Sequence, residues 1–277
     1  MDDRRKSAIR LDPDGFNELQ MCRSGPMIYN KYDMYVGGSL QRYGEFSVAE
    51  QEVFAQIVRP GALVVEVGAN IGAHTVQLSG LAGRDGEVHA FEPQRIVFQA
   101  LCANLALNQC ANVHARQAAV GEEVGACVVP AIDPTTRTNF GGVSLRGVTA
   151  GEVVPLVTLD SLDLPACHLL KVDVEGAEVE VLKGAEGLVQ TYRPIMYLEN
   201  DRAERSEELL TLVERLDYRA YWHLVRVFNP SNFYGDPVDI FPGVVSINIL
   251  CVPRETELTV EGLRPVKSPQ DSWRTPR

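Results

Sequence analysis

The sequence predicts an α/β protein built on a doubly wound, largely parallel sheet with helices on both faces. Three observations predict it. From residue 61 to residue 252, short apolar runs alternate with segments of helical periodicity. The runs at 62–67 (ALVVEV) and 244–252 (VVSINILCV) are almost unbroken, as in strands covered on both faces. No stretch between them has the composition of a linker.

The elements follow in order. Residues 1–26 are polar and carry the turn signal Asp12-Pro13-Asp14-Gly15. Residues 27–46 mix aromatics with Gly37-Gly38 and Gly44 and read as extended or looped, not helical. Residues 47–58 read as a helix with Val53, Phe54 and Ile57 on one face, Ser47 and Glu50 as a capping box, and Pro60-Gly61 as its stop. Strands are then expected at 62–67, 87–91, 113–120, 168–174, 195–198, 218–223 and 244–252, with short extra strands at 126–130 and 153–157. Helices are expected at 71–81, 94–107, 177–192 and 204–216; in the second, Ile96, Val97, Ala100, Leu101 and Leu105 fall at core spacing. A Thr-, Asn- and Gly-rich loop lies at 133–142. The division is an N-terminal extension and lid (1–60), one α/β domain (61–252), and a polar, Pro-rich tail (253–277) expected to be flexible.

Composition narrows the function. Of 277 residues, 26 are Lys or Arg and 37 Asp or Glu, a net charge of −11, and 45% are apolar. That apolar fraction excludes disorder as the main state. The acidity disfavours phosphate backbones and anionic membranes as partners, so a small molecule or carbohydrate is expected instead of nucleic acid. No window approaches 18 apolar residues, and residues 1–10 contain no apolar signal core. None of the six cysteines forms a Cys-x-x-Cys pair, which fits reduced thiols and a cytoplasmic location. A homodimer is compatible with the chain.

In an open α/β sheet ligands bind beyond the carboxyl ends of the strands. The first strand runs into Glu66-Val67-Gly68-Ala69-Asn70-Ile71-Gly72. Two glycines four apart let backbone approach a ligand, but the spacing is neither the dinucleotide fingerprint nor a phosphate loop, which disfavours a nicotinamide-dependent oxidoreductase. A carboxylate at Glu66 would repel a pyrophosphate and suits a positive ligand, an amine or a sulfonium. Glu92, 20 residues after Gly72, ends the second strand, where an acid accepts both hydroxyls of a ribose. Together the glycine loop and the two acids describe a cationic nucleoside, S-adenosylmethionine.

Glu66-x-Gly68-x-x-x-Gly72 resembles motif I of class I methyltransferases, with Glu66 where many relatives have Asp. The wider set resembles the FkbM-type methyltransferases: VVEVGANIGAHT at 64–75, AFEP at 90–93, NLALNQCANV at 104–113, TLDSL at 158–162, LLKVDVEGAEVEVLKGA at 169–185 and RPIMYLEN at 193–200. The resemblance covers about residues 30–252. It implies a Rossmann-like seven-stranded sheet whose last strand, 244–252, is antiparallel. It also implies methyl transfer from S-adenosylmethionine, most often to a hydroxyl of a sugar, small metabolite or polyketide-like acceptor.

For the donor, the candidate residues are Glu66, Gly68, Ala69, Asn70, Gly72, His74, Thr75, Glu92, Pro93 and Asp173. For catalysis they are Asp173, Glu175 and Glu199, all at strand ends and suited to removing a proton from a nucleophile. Glu175 is equally placed to cap the following helix. The same acids with Asn200 make a hard-oxygen cluster that a divalent ion such as Mg²⁺ could use, though no metal ligand is assigned. Lys171 is expected on the other side of its strand. For the acceptor, the candidates are Tyr43, Glu45, Asn139, Asn200, His223 and Asn229. An N-methyltransferase acting on a small amine and a non-catalytic binding protein on the same fold are the alternatives.

Overall fold

The computed structural model describes residues 11–12, 14–144 and 147–274; the readings of residues 1–10 and of the last three residues lie outside these. The chain opens with a hairpin, β1 (Asn17–Cys22) and β2 (Gly25–Asn30), then two short helices, α1 (Val36–Tyr43) and α2 (Val48–Ile57). Next come β3 (Leu63–Val67), α3 (Thr75–Ala82), β4 (Glu87–Phe91), α4 (Arg95–Leu107) and β5 (Val113–Arg116). A small insert holds β6 (Ala119–Val120), β7 (Gly125–Val129) and β8 (Glu152–Val157). The second half runs β9 (Leu169–Val172), α5 (Glu178–Lys183), α6 (Glu186–Tyr192), β10 (Ile195–Glu199), α7 (Ala203–Arg215), β11 (Tyr218–Arg226), β12 (Val245–Pro253) and β13 (Arg264–Pro265).

The main sheet has the order β13-β11-β12-β10-β9-β3-β4-β5. Strands β5, β4, β3, β9 and β10 are mutually parallel, and β12 is antiparallel to both β10 and β11. This is the expected seven-stranded, doubly wound arrangement with an antiparallel last strand, extended at one edge by the two residues of β13. The chain leaves β3 towards β4 and later returns to its other side as β9. The strand order therefore reverses between β3 and β9, where a ligand crevice opens.

Side-chain alternation divides the core. Val65, Val67, Leu170, Val172, Met196 and Leu198 pack with Val181, Leu182, Leu209 and Val213 of α5 and α7. Val64, Leu169, Tyr197 and Leu250 pack with Phe54 and Leu78 of α2 and α3. By the same period of two, Glu66 and Lys171 share the face of Val64 and Leu169.

Several elements depart from the sequence reading for identifiable reasons. The helix expected at 71–81 begins only at Thr75, because Gly68, Asn70 and Gly72 take φ of 81°, 52° and 87°, outside the helical region. The helix expected at 177–192 breaks in two at Gly184, where any side chain would collide with the Gly121 carbonyl; α6 then restarts with Gly187 and Leu188 N–H donating to Asp160 at 2.9 and 2.7 Å. The strand expected at 113–120 divides between two sheets, β5 in the main one and β6 beside β8. Ser47 precedes α2 in a left-handed conformation and makes no side-chain cap, so the capping box is not formed. Residues 36–43, read as looped, form α1. The polar stretch before residue 27 holds β1, and the hairpin is anchored on α4 by Asn104, which accepts from Ile28 N at 2.6 Å and donates to the Ile28 and Ile71 carbonyls at 2.9 and 2.7 Å.

Part of the segment expected as a flexible tail, residues 264–273, packs against β11. Arg264 meets both oxygens of Asp271 at 3.1 and 2.9 Å, and Trp222 Nε1 donates to Asp271 Oδ2 at 3.3 Å. Trp273 sets its edge against Trp222 with ring centroids 5.8 Å apart. Asp271 is only 5% exposed in this cluster. Asp271→Ala strips these charge-assisted bonds and should lower unfolding free energy by about 1–3 kcal/mol in urea titration; an unchanged midpoint would show that the segment adds nothing to the fold.

Candidate active site

The crevice is built where four strand ends meet. Gly68 and Ala69 N–H both donate to the Phe91 carbonyl, at 3.0 and 2.9 Å, and so tie the loop after β3 to the end of β4. On the other side Asp173 N donates to the Val67 carbonyl at 3.0 Å. A side chain at Gly68 would collide with the Asp173 carbonyl, so glycine is what lets the loops after β3 and β9 close up. Glu92 secures the third loop, with Oε2 accepting from Asn70 N at 3.0 Å and Oε1 from Gln94 N at 2.8 Å.

Two hollows meet at this junction. One is an apolar slot lined by Phe91, Pro93, Ala118, Val120, Phe140 and Val143, with Glu92 at its edge. The other is a polar cleft lined by Ala69, Asn70, His74, Asn139, Lys171, Asp173, Glu175, Glu199 and Asp201. Gly68, Glu92, Gly141, Asp173 and Glu175 line both. The cleft's outer wall comes from Tyr35, Val36 and Phe46 of the N-terminal extension. That extension joins the 138–142 loop where Met34 N donates to the Thr138 carbonyl at 2.9 Å. The N-terminal extension therefore lies against the cleft.

Behind the cleft is a buried charge network that was not foreseen. Lys171 is 1% exposed, against the expectation that it turns away. Residues i and i+2 of a strand share a face, so Lys171 and Asp173 point the same way. Lys171 Nζ stands 3.3 Å from Asp173 Oδ2, 3.6 Å from Glu66 Oε1 and 3.4 Å from the Gly68 carbonyl. Burial alone would push its ammonium down, but Asp173, Glu66 and Glu50 together hold it above its ordinary value. Glu50, from α2, accepts from Asn248 Nδ2 at 3.0 Å and lies 3.2 Å from His74 Nε2. Burial would raise its carboxyl, yet the His74 imidazole and the Lys171 ammonium hold it down at about 2.

Three carboxylates, Asp173, Glu175 and Glu199, each place an oxygen within 4.8 Å of the others. Glu175 sits at φ 56°, pairs with Arg202, and donates its N–H to Glu199 Oε2 at 3.3 Å. Burial and the charge of Asp173 push Glu175 up to about 8 against the pull of Arg202. Burial, Asp173 and Glu175 push Glu199 well above the carboxylate range. Carboxylates this close resist ionising together, which is why Glu175 and Glu199 are both pushed up. Glu92, buried at the slot's edge, is pushed up to about 7, mainly by burial and despite its two backbone donors.

The remaining sequence candidates divide clearly. Ala69, Asn70, His74, Asn139, Asp173, Glu175 and Glu199 reach the cleft, and Pro93 lines the slot. Glu66 does not reach either hollow: it is fully buried, held by Thr75 Oγ1 at 2.7 Å and by Lys171, and Thr75 is likewise consumed in that bond. Gly72 turns the loop against Leu101. Tyr43 is a core residue whose hydroxyl bridges Val238 O and Ile240 N at 2.9 and 2.8 Å. Glu45 and Asn229 bind each other at 2.8 Å, and Glu45 also takes Arg23 and Phe233 N; they bolt the extension to the 229–233 loop away from the cleft. His223 is held by the Tyr197 hydroxyl at 2.7 Å inside the sheet's cover. Asn200 is 3% exposed and gives its N–H to Ile247 O; its neighbour Asp201 reaches the cleft instead. Lys171 and Asp201 could have been found by strand parity and adjacency, whereas nothing local marks Glu50, which arrives from α2.

The methyltransferase FkbM domain family matches residues 66–220, more than half of the chain, from the end of β3 to the start of β11. The chain belongs to the FkbM methyltransferase family. Its fold is that of an S-adenosylmethionine-dependent methyltransferase domain. A curated relative, the 31-O-demethyl-FK506 methyltransferase FkbM of Streptomyces tacrolimicus, is 29% identical over 161 residues, 47% of this chain and 61% of that protein. The chain therefore spans less than two thirds of this relative's length. Among solved structures, an FkbM methyltransferase from Methylobacillus flagellatus matches at 19% identity and a TM-score of 0.44, over 73% of this chain and 50% of that one. The O-methyltransferase TomG of Streptomyces achromogenes, solved with S-adenosylmethionine, matches at 13% identity and a TM-score of 0.45, over 75% and 80%.

For this FkbM-family chain the buried network makes Lys171 a structural keystone. Lys171→Met leaves Glu66 buried without its cation and should cost about 3–5 kcal/mol of unfolding free energy. A chemical-denaturation midpoint equal to the parent's would contradict that role.

Proposed function

We propose that the protein is an S-adenosylmethionine-dependent O-methyltransferase acting on a hydroxyl of a small metabolite, sugar or polyketide-like acceptor. The observation that carries this reading is the close set of Asp173, Glu175 and Glu199 directly beside the slot edged by Glu92. Family membership and the name of the Streptomyces relative support it. The apolar slot fits an adenine ring. Glu92 keeps free lone pairs on both oxygens after taking its two backbone donors, which fits a ribose diol. Ala69, Asn70 and His74 would border the amino-acid end, and Asp173 with Glu175 gives the negative field a sulfonium prefers. When bound, S-adenosylmethionine supplies an electrophilic methyl group.

The chain's own work is alignment and proton removal. The acceptor oxygen gains the methyl group and its proton passes to a carboxylate, for which the Glu175–Glu199 pair is placed. A Glu175 carboxyl pushed up to about 8 matches a base that must cycle. A magnesium ion would meet the same three oxygens, but Lys171 already stands by Asp173 and Arg202 by Glu175. We therefore read the site as metal-independent. The same carboxylates would attract an amine, so the acceptor panel must contain amines as well as sugars and polyketide-like hydroxyls. The six free cysteines fit a reducing, cytoplasmic setting.

Three outcomes test the reading. Donor affinity should rise as pH goes from about 6 to 8, because Glu92 must ionise to accept two hydroxyls, and Glu92→Gln should flatten that rise and weaken binding by tenfold or more in calorimetry. A pH-independent affinity in the parent would remove Glu92 from the ribose role. With a competent acceptor, kcat should climb with pH through about 8 as Glu175 loses its proton, and Glu175→Gln should abolish the limb; a retained limb would assign the base elsewhere. Dialysis against a chelator should leave turnover within about twofold, and a loss restored by Mg²⁺ would reverse the metal-independent reading.

A further inference from the structure

At the end of β4 remote from the crevice, a second cluster of chemically able side chains has no part in the reading above. Glu87 and His89 are two apart on β4 and share a face, and His114 on β5 is the registered partner of His89. Strand geometry alone thus brings one carboxylate and two imidazoles together. Glu87 Oε2 lies 3.1 Å from His89 Nε2 and 3.8 Å from His114 Nε2, and one atom from each of the three falls within 4.8 Å of the others. The imidazole rings stack with centroids 4.9 Å apart and planes at 24°, so the half-exposed His114 ring must turn for both nitrogens to aim at one ion. Glu87 and His114 open on a surface groove that shares no residue with the slot or the cleft.

We propose that Glu87, His89 and His114 form a binding site for a late first-row divalent cation, Zn²⁺ being the natural fit. Two imidazole nitrogens and one carboxylate oxygen are a zinc donor set, and the carboxylate–imidazole separations of 3.1 and 3.8 Å bracket the donor spacing of a tetrahedral ion with bonds of about 2.0–2.1 Å. Half-exposed Glu87 and His114 leave the fourth position to water. Such an ion would clamp β4 to the edge strand β5.

The groups around His89 also set a limit on affinity. Arg116 Nη1 lies 3.0 Å from His89 Nδ1, so in the metal-free chain Nδ1 accepts and the ring proton sits on Nε2, facing Glu87. A cation on Nε2 requires the other tautomer, with the proton on Nδ1 and Arg116 displaced. Arg116 therefore opposes the ion, both as a donor aimed at the wrong nitrogen and as a nearby positive charge.

The test uses the untagged full chain, stripped of metal, titrated with Zn²⁺ against a chromophoric chelator and with Co²⁺ by absorption spectroscopy. Expected are one saturable site per chain, a Co²⁺ spectrum without thiolate charge-transfer bands, and at least tenfold weaker binding in both His114→Ala and Glu87→Gln, whose exposed positions spare the fold. Arg116→Gln should bind at least threefold more tightly, a gain that damage to folding cannot mimic. Absence of saturable binding, thiolate bands from a cysteine site, or affinities unmoved by all three substitutions would overturn the proposal.

Discussion

The Lys171 ammonium is the charge on which the site depends. Glu66 comes from β3, Asp173 from the end of β9 and Glu50 from α2; Glu66 and Glu50 are buried, and each acid is repelled by the others. One buried cation among them makes the arrangement tolerable, with Nζ 3.6 Å from Glu66 and 3.3 Å from Asp173. It also fixes geometry. Glu66, the acid of the glycine loop, is drawn inwards by Lys171 and Thr75, away from any ligand, while Asp173 is held at the mouth of the cleft. The role first assigned to Glu66 as a direct donor contact thus becomes one of support, and the negative field at the cleft comes from Asp173, Glu175, Glu199 and Asp201.

Close backbone approach is the second constraint. The reversal of strand order between β3 and β9 opens a crevice in any such sheet. Gly68 makes it usable, because the loops on either side touch through a position that no side chain can occupy. Glu92 then holds both the Asn70 and the Gln94 amides, so one carboxylate organises the loops that frame the slot and remains available at its edge. The N-terminal extension closes the other side through Tyr35, Val36 and Phe46, and its own placement rests on Asn104 and Glu45. The net charge of −11 is thus unevenly spread: a cluster of acids faces a cleft suited to a cationic cofactor.

What the sequence by itself determined is what local periodicity and strand-end position can encode. Apolar runs with a period of two or 3.6 located the sheet and its main helices, and the residues just beyond β3, β4, β9 and β10 were singled out as site candidates because ligands in this fold class bind there. Gly68, Glu92, Asp173, Glu175 and Glu199 were all singled out in this way, and the structure brings them to one crevice. Only the tertiary structure decided which of the remaining polar residues meet. Glu50 lies 16 residues before Glu66 on a helix whose sequence shows only an ordinary amphipathic face, and its place beside Lys171 depends on how α2 docks. Tyr43, Glu45, His223 and Asn229 have the composition of site residues, but each is consumed by a partner from a distant segment or by the backbone. The tail looked loose because its charges were counted alone, whereas Arg264, Asp271 and Trp273 satisfy one another against β11. Hydrogen bonds and ion pairs between remote segments depend on distances in space, and a single chain read in order carries no record of those distances.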